Sequence, residues 1–253
     1  MYIDGFLKSN LDIVKNEAIP NNWDALSIYH GIEGSGKSTL AFQNALYEDP
    51  TFNIDKCVFL PKQFEEAIDD AEPESSIVWD EAITGANVMM FASKISISVI
   101  SKLTQIRKKK LKIKLCFPYL WMLNKYFISR CLYSIHIHAK GFDDRGYFRF
   151  FDAKKTQILY YLMKEKNPNY PDNALKKMLP SFHGTFNKEF VLNEAEYDAK
   201  KESSRVEGEK ENKTNLWKER AYSLIKEHDL SVKDVAKLWG VSAQNVYQLN
   251  KQT

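Results

Sequence analysis

The octapeptide Gly31-Ile-Glu-Gly34-Ser-Gly36-Lys37-Ser38 fits the pattern G-x-x-x-x-G-K-[ST], and it follows a short apolar run, Leu26-Ser-Ile-Tyr-His30, that reads as a strand. Residues Ser38 to Tyr47 contain neither Pro nor Gly and carry Leu40, Ala41, Phe42, Ala45 and Leu46, an apolar set suited to a helix packed on a sheet. Strand, glycine-rich loop and helix in that order form a phosphate cradle. Backbone N–H groups turn inward around the phosphates, Lys37 reaches the β- and γ-phosphates, and the Ser38 hydroxyl ligates Mg²⁺ at the positive end of the helix. Gly31, Glu33, Gly34, Ser35, Gly36, Lys37, Ser38 and Thr39 are the expected nucleotide-binding set, with ATP and Mg²⁺ as the expected ligands.

Such a loop needs a carboxylate on a nearby strand to complete the metal shell. Ser76-Ile-Val-Trp-Asp80-Glu81 is an apolar run ending in Asp, which places Asp80 at the C-terminal edge of a parallel sheet, with Ser38 as its metal-binding partner. Glu81 supplies a second carboxylate that can orient a water for in-line attack on the γ-phosphate, a role a hydrolase needs and a small-molecule kinase does not.

Between these motifs, Lys56-Cys-Val-Phe-Leu60 reads as a strand and Pro61 to Ala71 as a helix with Pro at its first position. After Glu81, apolar residues at Ile95, Val99, Leu103 and Ile106 have helical spacing and lead into Arg107-Lys-Lys-Lys110, although Ile95, Ile97 and Val99 also suit a strand. Ile113 to Phe117, Leu132 to His138 and Tyr147 to Asp152 read as further strands, the last two joined by a turn at Gly141 to Gly146.

The order of these segments resembles the additional-strand, catalytic-glutamate division of P-loop ATPases. Over roughly residues 25 to 200, the runs Leu103 to Pro118, Leu123 to Arg130 and Gly141 to Phe151 are similar to the FtsK/HerA-like ATPases of mobile elements and viruses, among them the Zot-like proteins. That resemblance implies an α/β, RecA-like P-loop NTPase with a mostly parallel central sheet, a homo-oligomeric ring, and the movement of DNA through a pore or into a capsid. Many members of the group end the fourth strand in Gln, where this chain has Phe117-Pro118-Tyr119.

In a ring, an arginine of one subunit can complete the site of the next, and Arg107 and Arg130 are the two candidates for that catalytic role. The basic run Arg107 to Lys114 can instead contact a nucleic-acid backbone, or simply complement the dipole of a solvated helix end.

At 253 residues, the chain has room for one ATPase domain and a small accessory unit. The longest apolar stretch, Leu115 to Leu123, is interrupted by Pro118 and falls well short of the roughly 20 residues a membrane span requires, so no membrane span is expected. Nothing at the N-terminus reads as a secretion signal, and Cys57, Cys116 and Cys131 are isolated. The expectation is a reduced, cytoplasmic protein, in the host cytoplasm if viral. His136 and His138 alternate on one strand and read as strand histidines in preference to a metal pair. A net charge of +3 permits nucleic-acid binding without requiring it.

The expected division is an ATPase domain over 1–198, a charged linker over 199–214 and a helical unit over 215–253. Lys200 to Thr214 has one aliphatic residue among many opposed charges, which suits a flexible linker or a solvated helix. Leu230 to Leu249 resembles a helix-turn-helix: Ser231 caps the first helix, Ala236 permits close crossing, Gly240 allows the turn and Ser242 caps the second helix. The second helix would present Gln244, Asn245, Tyr247, Gln248 and Lys251 to DNA, where Gln and Asn suit adenine edges and Lys suits a phosphate. A protein-docking module over 215–253 is the alternative. The whole reads as a Mg²⁺-dependent ATPase acting on DNA, a translocation or packaging motor, with an ATP-controlled regulatory switch as the main rival and a small-molecule phosphotransferase as a third.

Overall fold

Strands buried on both faces read as nearly continuous apolar runs, and helices that cover them need one apolar stripe each. The chain alternates such segments. In the computed structural model, which describes residues 1–81, 94–141, 144–165, 172–209, 231–239 and 243, they form a seven-stranded sheet. The strands are β1 (Ala25–His30), β2 (Cys57–Val58), β3 (Ser76–Trp79), β4 (Lys112–Phe117), β5 (Tyr133–His138), β6 (Tyr147–Asp152) and β7 (Phe182–Thr185), in the order β2-β3-β4-β1-β5-β6-β7. The first five in that order run parallel, and β6 and β7 continue the sheet antiparallel. This is the α/β P-loop NTPase fold with a mostly parallel sheet.

Helices α1 (Gly5–Ile13) and α2 (Lys37–Glu48) cover one face, and α3 (Pro61–Asp70), α4 (Lys94–Lys109), α5 (Lys125–Arg130) and α6 (Ala153–Glu165) the other; α7 (Asp172–Lys177) follows α6. The α2 face is filled by Tyr29, Phe42, Val78, Cys116 and Ile135, the opposite face by Ile28, Trp79, Leu115 and Phe117. Trp79 stacks on Phe64 of α3 at 4.4 Å, and its indole N–H donates to the Phe59 carbonyl oxygen at 3.0 Å.

Several expectations change in detail. The segment at 56–60 pairs only through Cys57 and Val58, because Pro61 begins α3 and Gln63 Oε1 accepts from the Phe59 and Leu60 N–H groups, turning the chain out of the sheet. The strand that separates β1 from β3 in space is β4, while β2 sits at the sheet edge. The stretch carrying Ile95, Ile97 and Val99 is helical. Strand β7 and helix α1 had no sequence reading. The exposed pattern of β7, with a glycine at its third position, gives no apolar alternation.

The basic run after Arg107 does not form a continuous solvent-facing stripe. Arg107 and Lys108 are exposed, but Lys109 Nζ donates to the carbonyl oxygens of Ile68, Asp69 and Ala71, at the end of α3. Lys112 and Lys114 are buried in β4, where Lys112 Nζ donates to the Glu48 carbonyl oxygen at 2.9 Å and Lys114 forms an ion pair with the Glu48 carboxylate. The cations here complement helix C-termini inside the molecule.

The chain divides into two compact units, Met1–Asp198 and Ala199–Thr253. In the second, residues 199–209 are helical, with Arg205 bridging Glu202 and Glu209 one turn to either side, so this much of the charged stretch adopts the solvated-helix alternative. Helix α8 (Val232–Trp239) begins with a reciprocal cap. Ser231 Oγ accepts from the Asp234 N–H at 3.2 Å, the Ser231 N–H donates to Asp234 Oδ2 at 3.2 Å, and Val235 and Ala236 are buried. The expected turn at Gly240, the cap at Ser242 and the expected DNA-contacting residues Gln244, Asn245, Tyr247, Gln248 and Lys251 lie outside the described residues.

Candidate nucleotide site

The loop after β1 is shaped by two close approaches. Gly31 leaves the strand with its N–H donating to the Pro118 carbonyl oxygen at 3.1 Å, and a Cβ there would lie 2.1 Å from the Ile137 carbonyl oxygen, so only glycine fits against the end of β5. Gly36 adopts φ +100° as the residue preceding α2, with the Phe186 ring 3.0 Å from where its Cβ would lie. The loop therefore delivers Lys37, Ser38 and Thr39 into the first turn of α2, where unpaired backbone N–H groups point outward.

Lys37 Nζ donates to the Ile32 carbonyl oxygen at 2.9 Å, folded back across its own loop. Burial lowers the ammonium pKa, against the opposing pull of Asp80, Glu33 and Glu81. Asp80 extends from β3, buried beside the loop, and Ser38 Oγ donates to its Oδ2 at 2.8 Å. The two motifs, separated by 42 positions in the chain, thus share one hydrogen bond.

Asp80 gathers further donors. The Tyr197 hydroxyl donates to Oδ2 at 2.5 Å and the Glu81 N–H to Oδ1 at 3.1 Å. Tyr197 is buried among Phe42, Phe59 and Phe190, and burial followed by the Asp80 charge raises its phenol pKa, so it remains a donor. Burial and Asp80 likewise keep Cys116 a neutral thiol. Sequence reasoning missed Tyr197 because its contact spans 117 positions and no motif marks it.

Glu81 is exposed, and its backbone is left-handed at φ +54°. A non-glycine residue there carries a strain of roughly 1 kcal/mol or more, and such strain collects at functional sites. His30, the last residue of β1, is buried against His136 with 3.4 Å between their Nδ1 atoms, and its Nε2 lacks a partner. Burial, then the Lys37 charge, pushes its pKa down to about 3. The Ser35 hydroxyl is also buried and unpartnered within the loop.

The oxygen donors of Ser38 and Asp80, adjacent and anchored on two rigid elements, suit a hard divalent cation such as Mg²⁺. The two candidate arginines lie elsewhere. Arg107 is exposed at the end of α4, and Arg130 ends α5, both leading into the strand starts at the sheet edge opposite the phosphate loop. The Arg130 guanidinium is held by Asp24 Oδ2 at 2.6 Å and the Leu103 carbonyl oxygen at 2.8 Å. An arginine nearer the loop is Arg145, whose Nη1 lies 4.0 Å from where a Gly34 Cβ would sit.

No family model matches the sequence, and no curated protein does. Solved structures similar to it include the genome packaging NTPase B204 of Sulfolobus turreted icosahedral virus 2, 12% identical over 53% of this chain and 94% of that one, with a TM-score of 0.38. The N-terminal domain of zonular occludens toxin from Neisseria meningitidis is 15% identical over 69% of this chain and 97% of that one, with a TM-score of 0.41. DnaA from Aquifex aeolicus is 12% identical, covering 100% of this chain and 89% of that one, with a TM-score of 0.35. These neighbours are P-loop NTPases. The strand order and the Gly31–Thr39 cradle, joined to Asp80 through Ser38, give the first unit of this chain the P-loop NTPase fold on their own geometry.

Proposed function

We propose that the chain is a Mg²⁺-dependent ATPase that acts on DNA as a translocation or packaging motor. The observation that carries the nucleotide half of this reading is the hydrogen bond between Ser38 and Asp80, which brings the phosphate loop and the strand-end carboxylate to one point with Glu81 next in the chain. Backbone N–H groups from Gly34 to Thr39 cradle the phosphates, and Lys37 exchanges the Ile32 carbonyl oxygen for the β- and γ-phosphate oxygens. When bound, Mg²⁺ neutralises charge on those oxygens. Ser38 and Asp80 hold it, Tyr197 fixes the Asp80 carboxylate, and Glu81 orients the attacking water.

The DNA half rests on the resemblance to FtsK/HerA-like ATPases and on the Ser231-capped helix α8 as the first helix of a helix-turn-helix. In a ring, Arg107 at its exposed position is the better candidate for a residue acting on the next subunit, since Arg130 is tied to Asp24. The alternative is an ATP-controlled switch with slow turnover. DNA-stimulated ATP hydrolysis by the purified protein separates the two. A motor gives turnover that rises strongly with DNA and vanishes in Lys37→Ala, while slow turnover indifferent to DNA overturns the motor reading.

A further inference from the structure

A second set of basic side chains lies beyond the phosphate loop in the first unit. His30 of β1 pairs with His136 of β5, His136 with Arg149 of β6, and Arg149 with His183 of β7, a row of four basic side chains across four adjacent strands. Directly paired residues share one face of a sheet. At its outer end the row opens into a cavity of about 700 Å³ bounded by β5, β6, β7 and the segment around α7.

The charged side chains of that cavity have one sign. Lys140, Arg149 and Lys176 line it together with His138 and His183, and among the described residues no carboxylate does. Several of these groups are held in place. Lys140 Nζ lies 3.9 Å over the Tyr147 ring, Arg149 Nη1 lies 3.5 Å from the Leu175 carbonyl oxygen, and the buried Nδ1 of His138 has no partner. Cations gathered without a counter-charge repel one another, and an anion relieves that repulsion.

We propose that this cavity binds the phosphodiester backbone of a single nucleic-acid strand, an inference that rests on the reading of the chain as a DNA-acting ATPase. Its volume falls in the range of sites that take a ligand of nucleotide size, and a concave site suits a flexible single strand better than the stiff, convex backbone of a duplex. Cations beside the Tyr147 ring are the combination that single-strand sites use, tracking phosphates while a base stacks. Lys140 and Lys176 are exposed and meet the phosphates first, and Arg149 lies deeper.

The test measures binding of the full chain to a fluorescein-labelled oligothymidylate of about 20 nucleotides, by anisotropy over a range of salt. A duplex of the same length, inorganic phosphate and thymidine monophosphate serve as the other ligands. Lys140→Gln with Lys176→Gln alters two exposed side chains and leaves the fold and the DNA-free ATP turnover unchanged. This pair should weaken the oligothymidylate roughly tenfold at low salt and flatten the logarithmic salt slope by about 1.4, as expected for two lost phosphate contacts. Duplex binding should be unaffected, and Arg149→Gln should weaken the single strand further. Unchanged oligothymidylate affinity and slope in both folded variants would overturn the cavity assignment while the DNA reading stands. An effect on inorganic phosphate or the mononucleotide alone would overturn the strand and leave a small-anion site. A wild-type chain that binds no DNA at all would overturn the DNA reading and this inference with it.

Discussion

At the residue scale, the site separates groups that hold charge from groups that hold those groups. Tyr197 belongs to the second kind, since its hydroxyl donates to Asp80 Oδ2, the oxygen that Ser38 also reaches. Tyr197→Phe leaves the aromatic cluster intact and removes one donor, so the Mg²⁺ concentration for half-maximal turnover should rise about tenfold, the scale on which loss of a ligand's supporting hydrogen bond acts. A Mg²⁺ titration of turnover checks this, and an unchanged midpoint would make the hydroxyl a bystander. Glu81 allows a sharper separation of function from fold. Its left-handed backbone suits glycine, so Glu81→Gly should unfold within about 1 kcal/mol of wild type, or be more stable, while turnover falls by roughly 10² or more. Denaturant melts alongside ATPase assays decide the matter; full activity in the glycine variant would require another residue to orient the water.

At the scale of elements, β4 is the instructive case. Its lysines at 112 and 114 fall in the basic run that the sequence alone offers to solvent or a nucleic-acid backbone, yet every residue of the strand is buried. The reason is the end of α2, where the Glu48 carboxylate and carbonyl oxygen receive Lys114 and Lys112. Sequence does not reveal this because the partners lie 64 and 66 positions apart. Removing one partner of a buried pair strands the other, so Glu48→Gln should cost about 3 kcal/mol, while Glu48→Leu combined with Lys114→Met should cost much less. Urea unfolding of both variants measures the difference. Equal losses in the two would mean that shape, not charge, holds this junction.

At the scale of the whole molecule, buried histidines tie stability to acidity. His30 falls from an ordinary 6.5 to about 3 and His136 well below 6.5, both chiefly by burial and then by nearby positive or imidazole groups. In the unfolded chain these side chains take up protons first, so their contribution is fully present above 6.5 and is lost as the pH falls from there towards 3. Unfolding free energy measured between about pH 7 and pH 4 should therefore fall, and His30→Gln should flatten that fall. A profile equally steep in the variant would assign the acid sensitivity to other groups. The division of the chain into two units gives a second test. A chain ending at Asp198 keeps Tyr197 and the whole sheet, so it should fold cooperatively and bind ATP. Loss of ATP binding on that truncation would make the second unit part of the nucleotide site.

The sequence by itself determined the phosphate loop, the Asp80–Glu81 carboxylates and the positions of most strands, because each of these is written in neighbouring residues: glycines where the backbone turns inward, an apolar run before a carboxylate, Pro61 where a helix starts. Tertiary structure alone decided which strand lies between β1 and β3, which lysines face solvent, and that Tyr197 closes over Asp80. It also decided that four basic side chains from four strands form one row. Each of these depends on strand order or register, and register is fixed by packing between segments far apart in the chain, which no local pattern encodes.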